Sequence, residues 1–250
     1  MVSTAEKFTG RAESYSRNRP SYPDKILTDM CRITGMDKTW IVADMGSGTG
    51  KLAILFAENG NPVKCIEPNP DMRSELKRVF SGRGKVEIFD GTAEQSTLMN
   101  SSVDIVVCGQ SFHWFRPDEA SIEFRRILRK GWVALIWNDR VDDDPFTSSY
   151  ENIVRRYSPD YHRTGSLSMD EKTIKDFFQD GYELLTYPNS QKIDLEGMIG
   201  RYQSASYAIS KSNPEFENLL NEFRDLFNRY QENGSVFMLY RTLMYIGRIS

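Results

Sequence analysis

One seven-residue stretch, residues 44–50, constrains the fold of this 250-residue chain more than any other. Its sequence is Asp44-Met45-Gly46-Ser47-Gly48-Thr49-Gly50. It follows an apolar run at residues 40–43 that is typical of a buried parallel strand, and it precedes residues 51–57, whose apolar positions recur at helical spacing. Glycine permits positive φ, and without a Cβ its backbone can approach a ligand closely. Strand, glycine turn and helix together predict the first half of a dinucleotide-type βαβ unit.

A second strand, predicted over residues 61–67, completes this unit and ends in Glu67. A carboxylate at the tip of the strand can accept hydrogen bonds from both hydroxyls of a ribose, so Glu67 is the expected ribose ligand. A nicotinamide-type turn, Gly-x-Gly-x-x-Gly, needs a third glycine where the chain has Lys51. Asp44 beside the turn would repel a pyrophosphate. The same carboxylate favours a cationic ligand that carries an amino group and a sulfonium.

The rest of the chain alternates strands and helices. The predicted strands cover residues 40–43, 61–67, 85–90, 103–108, 132–137, 182–187 and 236–249. The predicted helices cover residues 23–34, 51–57, 70–81, 117–130, 189–213 and 215–231. This alternation is typical of a parallel, doubly wound sheet. We therefore expect an α/β, Rossmann-like, mostly parallel sheet of seven strands, with the last strand antiparallel and paired with the sixth, plus a helical cap.

At 250 residues, the chain has the length of one α/β domain with an elaboration. We predict a single domain. Residues 1–35 would form an N-terminal arm and helix over the cofactor, and residues 36–138 the cofactor-binding core. Residues 139–213 are polar and would form a cap with one core strand, and residues 214–250 would supply the closing helix and strand.

Composition restricts the partners and the compartment. The formal net charge of -3 and a pI of about 5.6 argue against nucleic acid as the partner, because phosphate binding usually requires a basic face. Three widely spaced cysteines without a Cys-x-x-Cys pair predict neither a disulfide framework nor a metal site. Neither a signal peptide nor an apolar run long enough to span a bilayer is visible. We expect a soluble, cytoplasmic protein without a membrane partner.

The pattern Asp44-x-Gly-x-Gly-x-Gly, with an acidic residue after the second strand, resembles the first motif of the class I S-adenosylmethionine-dependent methyltransferases. Further motifs narrow the resemblance to small-molecule members, in the group of the type 11 and trans-aconitate methyltransferases. They are Tyr15…Arg19-Pro20-x-Tyr22-Pro23, Ile66-Glu67-Pro68-Asn69, Gly91-Thr92-Ala93-Glu94, Ser111-Phe112-His113-Trp114-Phe115 and the closing strand Tyr240-Arg241-Thr242 to Gly247-Arg248. The resemblance covers the whole chain. One departure, Lys130-Gly131-Trp132 in place of Pro-Gly-Gly, lies at a turn remote from the cofactor.

This resemblance implies S-adenosylmethionine as cofactor and S-adenosylhomocysteine as product. The residues implied to bind the cofactor are Tyr15, Arg19, Asp44, Gly46, Ser47, Gly48, Gly50, Glu67, Pro68, Asn69, Met72, Thr92, Ala93 and Gln110. The glycines would pass under the methionine portion, whose carboxylate would pair with Arg19. Met72 would form an apolar wall beside the adenine, and the backbone carbonyl of Gln110 would meet the amino group. Thr92 stands where the family often has an acidic residue, so a side-chain hydrogen bond to the adenine amine stays open.

Four residues at or after strand ends are expected to bind the methyl acceptor, namely His113, Trp114, Trp137 and Asn138. His113 is the candidate general base, and the alternative is that it shapes the pocket or donates a hydrogen bond. Tyr15 is a second catalytic candidate, and for both Tyr15 and Arg19 the alternative is a place in an exposed terminal arm. Trp137 could equally belong to the core. The other histidine, His162, lies in a polar segment and is expected to be solvated.

Methyl transfer is an in-line displacement, for which an enzyme mainly aligns the nucleophile with the methyl group and excludes water. We expect a methyltransferase without a metal that acts on a small organic acceptor, with carboxylate, hydroxyl and amine nucleophiles all open. An NAD(P)-dependent oxidoreductase and a non-catalytic S-adenosylmethionine-binding protein are the alternatives. Methylation of DNA bases is disfavoured, because residues 110–114 lack the Asn/Asp/Ser-Pro-Pro-aromatic turn. A monomer and a homodimer are equally compatible with the sequence.

Overall fold

A seven-stranded sheet forms the centre of the protein in the computed structural model, which describes residues 12–83, 85–158, 161, 169–205 and 207–249, without the side chains of residues 13–15. The strands are β1 (Val42–Met45), β2 (Val63–Ile66), β3 (Val86–Phe89), β4 (Val103–Gly109), β5 (Leu128–Arg140), β6 (Tyr182–Ile193) and β7 (Val236–Arg248). Their order is β3-β2-β1-β4-β5-β7-β6. β7 runs antiparallel to β5 and β6, and the other neighbouring pairs are parallel. This topology confirms the predicted Rossmann-like α/β sheet.

Helices connect these strands. They are α1 (Ala12–Asn18), α2 (Lys25–Thr34), α3 (Ala53–Asn59), α4 (Pro70–Val79), α5 (Pro117–Ile127), α6 (Pro145–Tyr157), α7 (Glu171–Phe177), α8 (Leu195–Gln203) and α9 (Phe216–Tyr230). Proline opens α4, α5 and α6, where its missing N–H costs no helical hydrogen bond. Gly35 ends α2 with a φ of 73°, a conformation that glycine adopts without strain. Within the described ranges, no helix is both long and apolar enough to cross a membrane.

The centre of the sheet determines where a ligand can bind. β1 and β4 are neighbours and are almost completely buried, because hydrophobic clusters pack on both faces of the sheet. From β1 the chain continues outward to β2, whereas from β4 it continues to β5 on the opposite side. This switch in direction leaves a crevice outside the carboxyl ends of the strands, where open α/β sheets bind ligands.

A third hydrophobic cluster forms the cap, which we define as α6, α8, α9 and the outer ends of β6 and β7. Tyr150 of α6 stacks on Phe223 of α9, with ring centroids 5.2 Å apart. β7 joins this cap to the central sheet, because it pairs with β5 from Arg248 to Tyr240 and with β6 from Gly247 to Val236. The cap is therefore built on strands of the central sheet.

The predicted helix at residues 189–213 is wrong at both ends. Residues 189–193 belong to β6, because this strand stays paired with β7 as far as Ile193 and Val236. The helix is the shorter α8, and its first turn is capped by Asp194, whose carboxylate accepts the backbone N–H of Gly197 at 2.7 Å. Ser and Tyr content alone did not reveal that the strand continues.

Other elements also differ from the prediction, among them β1, which runs to Met45 and so includes Asp44. α5 ends at Ile127 instead of running to Gly131, because the chain enters β5 directly and Gly131 lies inside that strand. The polar region 139–180, for which no element was predicted before residue 182, contains α6 and α7. These helices bury a few apolar residues in a polar sequence, among them Phe146 and Ile174.

We expect Gly50→Ala to lower the free energy of unfolding by about 2–4 kcal/mol in urea titrations. Gly50 lies between the β1–α3 turn and α4 with a φ of +85°, and an added Cβ would lie 2.5 Å from Cε2 of Phe80 and 2.9 Å from Cδ2 of Leu76. Both neighbours are buried, so neither can move aside without disturbing the core.

Gly82→Ala is the matched control, because Gly82 has a φ of +71° but open space at its Cβ position. Gly82→Ala should lower the free energy of unfolding only by the cost of a positive φ for alanine, roughly 1–2 kcal/mol. Equal losses in the two variants would show that close packing at Gly50 does not contribute to stability.

Candidate functional site

A cavity of about 500 Å³ lies at the carboxyl ends of β1, β2, β4 and β5. It brings together most of the residues that the sequence predicted to bind cofactor or acceptor, which are Arg19, Asp44, Gly46, Ser47, Gly48, Glu67, Pro68, Met72, Thr92, Ala93, Gln110, His113, Trp114 and Asn138. Gly50, Asn69 and Trp137 lie behind its wall. Tyr15 belongs to α1, and its side chain is outside the described part of the chain. His162 likewise lies outside the described residues.

The glycine turn after β1 is held from two sides. The backbone N–H groups of Gly46 and Ser47 donate to the carbonyl of Ile66 at the end of β2, at 2.9 and 3.1 Å. On the other side, a Cβ on Gly46 would lie 2.8 Å from the Cβ of Ser111, whose hydroxyl donates to the Met45 carbonyl at 2.6 Å. With a φ of +65° as well, Gly46 leaves no room for a side chain, and the backbone of the turn borders the cavity.

Glu67 joins this turn to the start of α4. One carboxylate oxygen accepts the backbone N–H of Gly48, and the other accepts the N–H of Asn69, both at 2.8 Å. Burial raises the pKa of Glu67, while these two N–H groups oppose the rise. Each carboxylate oxygen can accept a second hydrogen bond, so the group can still bind ligand hydroxyls.

Asp44 is a buried carboxylate at the floor of the cavity, with 1% of its surface exposed. Its Oδ2 has no hydrogen-bond partner. Burial raises the pKa of Asp44 to about 7, although a hydrogen bond with the Ala53 backbone opposes the rise, and the charge of Glu67 raises it further. A cation placed against Asp44 would stabilise the ionised form of this carboxylate.

Two residues that were predicted to bind the cofactor, Asn69 and Gly50, support the site from behind and do not line the cavity. The side-chain oxygen of Asn69 accepts the N–H groups of Asp71 and Met72, at 2.9 and 3.0 Å, and so caps α4. This cap fixes Met72 at the cavity wall. Gly50 provides the close packing between the turn and α4 described above. Their direct contact with a cofactor stays a prediction.

Gln110 follows β4 in a conformation that is unfavourable for a residue with a side chain. Its φ is 54°, in the left-handed region. The backbone N–H of Gln110 donates to the Ile136 carbonyl, and its side-chain amide donates to the Asn138 carbonyl, both at 2.9 Å. These two bonds to β5 hold Gln110 at the cavity.

His113 lies in a 3₁₀ turn, Phe112–Trp114, that follows β4. The indole N–H of Trp137 donates to its Nδ1 at 3.4 Å. Burial lowers the pKa of His113 to about 4, so the imidazole is neutral near pH 7. A neutral imidazole whose Nδ1 accepts carries its proton on Nε2, and His113 is then a hydrogen-bond donor. Trp137 itself is fully buried and reaches the cavity only through His113.

Side-chain amides hold the N-terminal segment over the cavity. The backbone carbonyl of Ser21 accepts from Asn189 at 2.9 Å and from Asn138 at 3.2 Å, and the carbonyl of Asn18 accepts from Gln191 at 3.0 Å. Asn138 thus anchors this segment, and the predicted contact between Asn138 and an acceptor stays untested. The anchored segment carries Arg19 to the cavity wall.

Sequence reasoning missed a group of basic and aromatic residues that also line the cavity, notably Arg140, Arg201 and Tyr207. Arg140 lies two positions beyond Asn138, so the rule that selected strand ends would have found it if β5 had been predicted at its full length. Arg201 lies in α8, and Tyr207 follows that helix. The sequence around them contains no motif that marks them as site residues.

The described residues contain no group of three or more side chains suited to hold a metal ion. Cys31, Cys65 and Cys108 are free thiols. The absence of a metal from the reaction stays a prediction.

Residues 43–136 match the model of a methyltransferase domain family. A methyltransferase-like protein of Schizosaccharomyces pombe is 28% identical over 246 residues, which cover 95% of this chain and 93% of the relative. A methyltransferase of the same yeast is 30% identical over 189 residues, which cover 74% of this chain and 72% of the relative. The similarity thus extends well beyond the glycine turn.

Solved structures share the fold. An S-adenosylmethionine-dependent methyltransferase of Geobacter sulfurreducens, solved in complex with S-adenosylhomocysteine, superposes with a TM-score of 0.54 at 14% identity, covering 99% of this chain and 100% of the other. A candidate type II methyltransferase of Anaeromyxobacter dehalogenans gives a TM-score of 0.65 at 16% identity, covering 92% and 97%.

Asp44 should make the stability of the ligand-free protein depend on pH. Because its pKa is raised from 3.8 to about 7, the folded protein retains a proton that the unfolded chain has released. The stability that this proton provides is therefore fully present below the pKa of the unfolded chain, 3.8, and is lost as the pH rises through the pKa of the folded protein, about 7. We expect Asp44→Asn to be more stable than the parent protein at about pH 8, by up to roughly 4 kcal/mol, and equally stable at about pH 4. Urea titrations across this range measure the difference, and a constant difference would refute the raised pKa.

His113 should remain neutral over the whole working range of pH. Titration of the ¹⁵N-labelled protein by NMR should show an Nε2–H tautomer that begins to protonate only below about pH 5, because burial lowers the pKa of His113. The imidazole signals that disappear in His113→Gln belong to His113, and the signals that remain belong to the second histidine, His162, which serves for comparison. A midpoint near the ordinary value of 6.5 would contradict the burial of this imidazole.

Proposed function

The chain belongs to the class I S-adenosylmethionine-dependent methyltransferases, and we propose that it transfers a methyl group to a small organic acceptor. The observation that carries this proposal is that the glycine turn and the cap residue Arg201 line the same cavity of about 500 Å³. Its volume is typical of small-molecule sites.

The residues present fit S-adenosylmethionine as the cofactor. The carboxylate of Asp44, whose Oδ2 has no hydrogen-bond partner, suits an ammonium group, and the two oxygens of Glu67 suit the hydroxyls of a ribose. Met72 offers an apolar wall. When bound, this cofactor supplies an electrophilic methyl group on a sulfonium, which leaves as a neutral thioether when an acceptor takes the methyl group.

The protein's own part in the transfer is alignment and the exclusion of water. His113, protonated at Nε2, would donate a hydrogen bond to an oxygen of the acceptor and so orient it. With a pKa of about 4, this imidazole is a poor general base near neutral pH. An acceptor that needs no base, such as a carboxylate, a thiolate or a neutral amine, therefore suits the site better than an alcohol.

The two alternatives fit the cavity less well. A nicotinamide dinucleotide would place its pyrophosphate near the buried Asp44, where two negative groups would repel each other. A protein that only senses the cofactor would have no use for the part of the cavity formed by His113, Trp114 and the cap. Formation of S-adenosylhomocysteine in the presence of an acceptor distinguishes an enzyme from a sensor.

We expect the purified protein to bind S-adenosylmethionine and S-adenosylhomocysteine, but not NAD, in calorimetric titrations. Glu67→Gln should weaken the binding of S-adenosylhomocysteine by roughly tenfold or more, because it replaces a charged acceptor of ligand and backbone hydrogen bonds by an amide.

Glu87→Gln is the matched control, since Glu87 is an exposed glutamate on the neighbouring strand β3. Its affinity for S-adenosylhomocysteine should equal that of the parent protein. Binding of NAD alone would refute the methyltransferase function and favour the oxidoreductase.

A further inference from the structure

Three arginines and a tyrosine line the cap side of the cavity. We call Arg19, Arg140, Arg201 and Tyr207 the cationic cluster, and all four line the cavity. Arg19 comes from the N-terminal segment, Arg140 from β5, and the other two from α8 and the turn after it. Buried arginines are rare unless an anion pairs with them, so the partners of the two most buried arginines, Arg140 and Arg201, are described in turn.

Arg140 has its partners within the protein. It forms an ion pair with Glu151 of α6 at 2.9 Å, and the two side chains are 9% and 4% exposed. Arg140 also donates to the hydroxyl of Tyr161 at 2.6 Å and to Tyr207. Glu151 thus balances the charge of Arg140, and the same guanidinium also contacts two tyrosines.

Arg201 lacks such a partner. It is 5% exposed, and its Nε and Nη1 make no hydrogen bond. The guanidinium lies 5.3 Å from the ring centroid of Tyr240, a contact that supplies no negative charge. Burial lowers the pKa of Arg201, and the charges of Arg19 and Arg140 lower it further, whereas Tyr240 opposes them. No carboxylate of the described residues pairs with Arg201, so the cluster carries a buried positive charge that the protein does not balance.

The cluster also polarises Tyr207. Burial by itself would raise the pKa of this phenol, but the three arginines outweigh burial and lower it. A phenol with a lowered pKa is a stronger hydrogen-bond donor to an anion. Arg201 and Tyr207 therefore offer an ionic donor and a polarised neutral donor on the same side of the cavity.

We propose that Arg201 and Tyr207 bind a carboxylate group of the methyl acceptor, which is therefore a small organic acid. The inference rests on the proposed function, because it assigns the cap side of the cavity to the acceptor. A carboxylate needs few donors and matches the planar guanidinium, whereas a phosphate needs donors for three oxygens. The charge of Arg140 is already balanced by Glu151, so Arg201 is the arginine of the cluster that lacks an anionic partner among the described residues.

The test uses succinate as the probe and the full chain saturated with S-adenosylhomocysteine. Calorimetric titration should show that succinate binds, and that its uncharged analogue succinamide binds at least tenfold more weakly. Arg201→Met should weaken the binding of succinate at least tenfold, and it should change the affinity for S-adenosylhomocysteine less than twofold. Arg224→Met is the matched control, because Arg224 is an exposed arginine on α9, and it should leave both affinities unchanged.

The outcomes separate this inference from the proposed function. Failure of the parent protein to bind S-adenosylhomocysteine would refute the proposed function itself. Normal binding of S-adenosylhomocysteine with equal affinity for succinate and succinamide would refute the carboxylate site alone. Tighter binding of inorganic phosphate than of succinate would refute the carboxylate site and favour a phosphorylated acceptor. A large loss of affinity for S-adenosylhomocysteine in Arg201→Met would also refute it, and would assign the cationic cluster to the cofactor.

A second readout needs no ligand. Because Arg201 buries an unbalanced charge, Arg201→Met should raise the melting temperature of the ligand-free protein by about 2–4 °C, while Arg224→Met should not. A lowered melting temperature would mean that Arg201 stabilises the fold, and would contradict a site held ready for an anion. Tyr207→Phe tests the same site without changing its charge, and it should weaken the binding of succinate several-fold.

Discussion

The two antiparallel ladders of β7 are the interaction on which the rest of the structure depends. On one side β7 pairs with β5 as far as Arg140, and on the other it pairs with β6 as far as Ile193. Because of these ladders, β5, β6 and β7 are much longer than β1, β2 and β3 on the cofactor side of the sheet. The extension carries the cap, and it places the end of β5 beside α6 and α8. Without it, the cavity would have a floor at the glycine turn but no second wall.

Each wall of the cavity contains a buried ionisable group that the protein leaves unsatisfied, an acid at the glycine turn and an arginine in the cap. Asp44 lies at the glycine turn with an unpartnered oxygen, and Arg201 lies in the cap with two unpartnered nitrogens. They belong to different hydrogen-bond systems and do not neutralise each other. Buried unpaired charge destabilises a fold, so both groups are candidates for contacts with ligands. An amine-bearing cofactor on one side and an anionic acceptor on the other would satisfy the two groups together.

His113 illustrates how a side chain's role depends on its neighbours. The sequence offered it as a general base or as a hydrogen-bond donor, and position alone could not separate the two. The buried indole of Trp137 settles the tautomer, because its N–H occupies Nδ1. The same contact explains why Trp137, at the end of an apolar run, is a core residue that supports the site from behind. Asn138 is used in a similar way, since its amide anchors the segment that carries Arg19.

The sequence by itself determined the cofactor half of the protein. The glycine turn, Glu67 at the tip of β2, and the alternation of strands and helices all follow from local patterns, because φ, helix spacing and strand length are properties of neighbouring residues. The tertiary structure alone decided the cap half. Arg140 and Arg201 are far apart in the chain and meet only because β7 pairs with both β5 and β6, and no local pattern records such long-range pairing. The pairing also turned residues 189–193 into strand, since backbone hydrogen bonds to β7 outweighed local helix propensity.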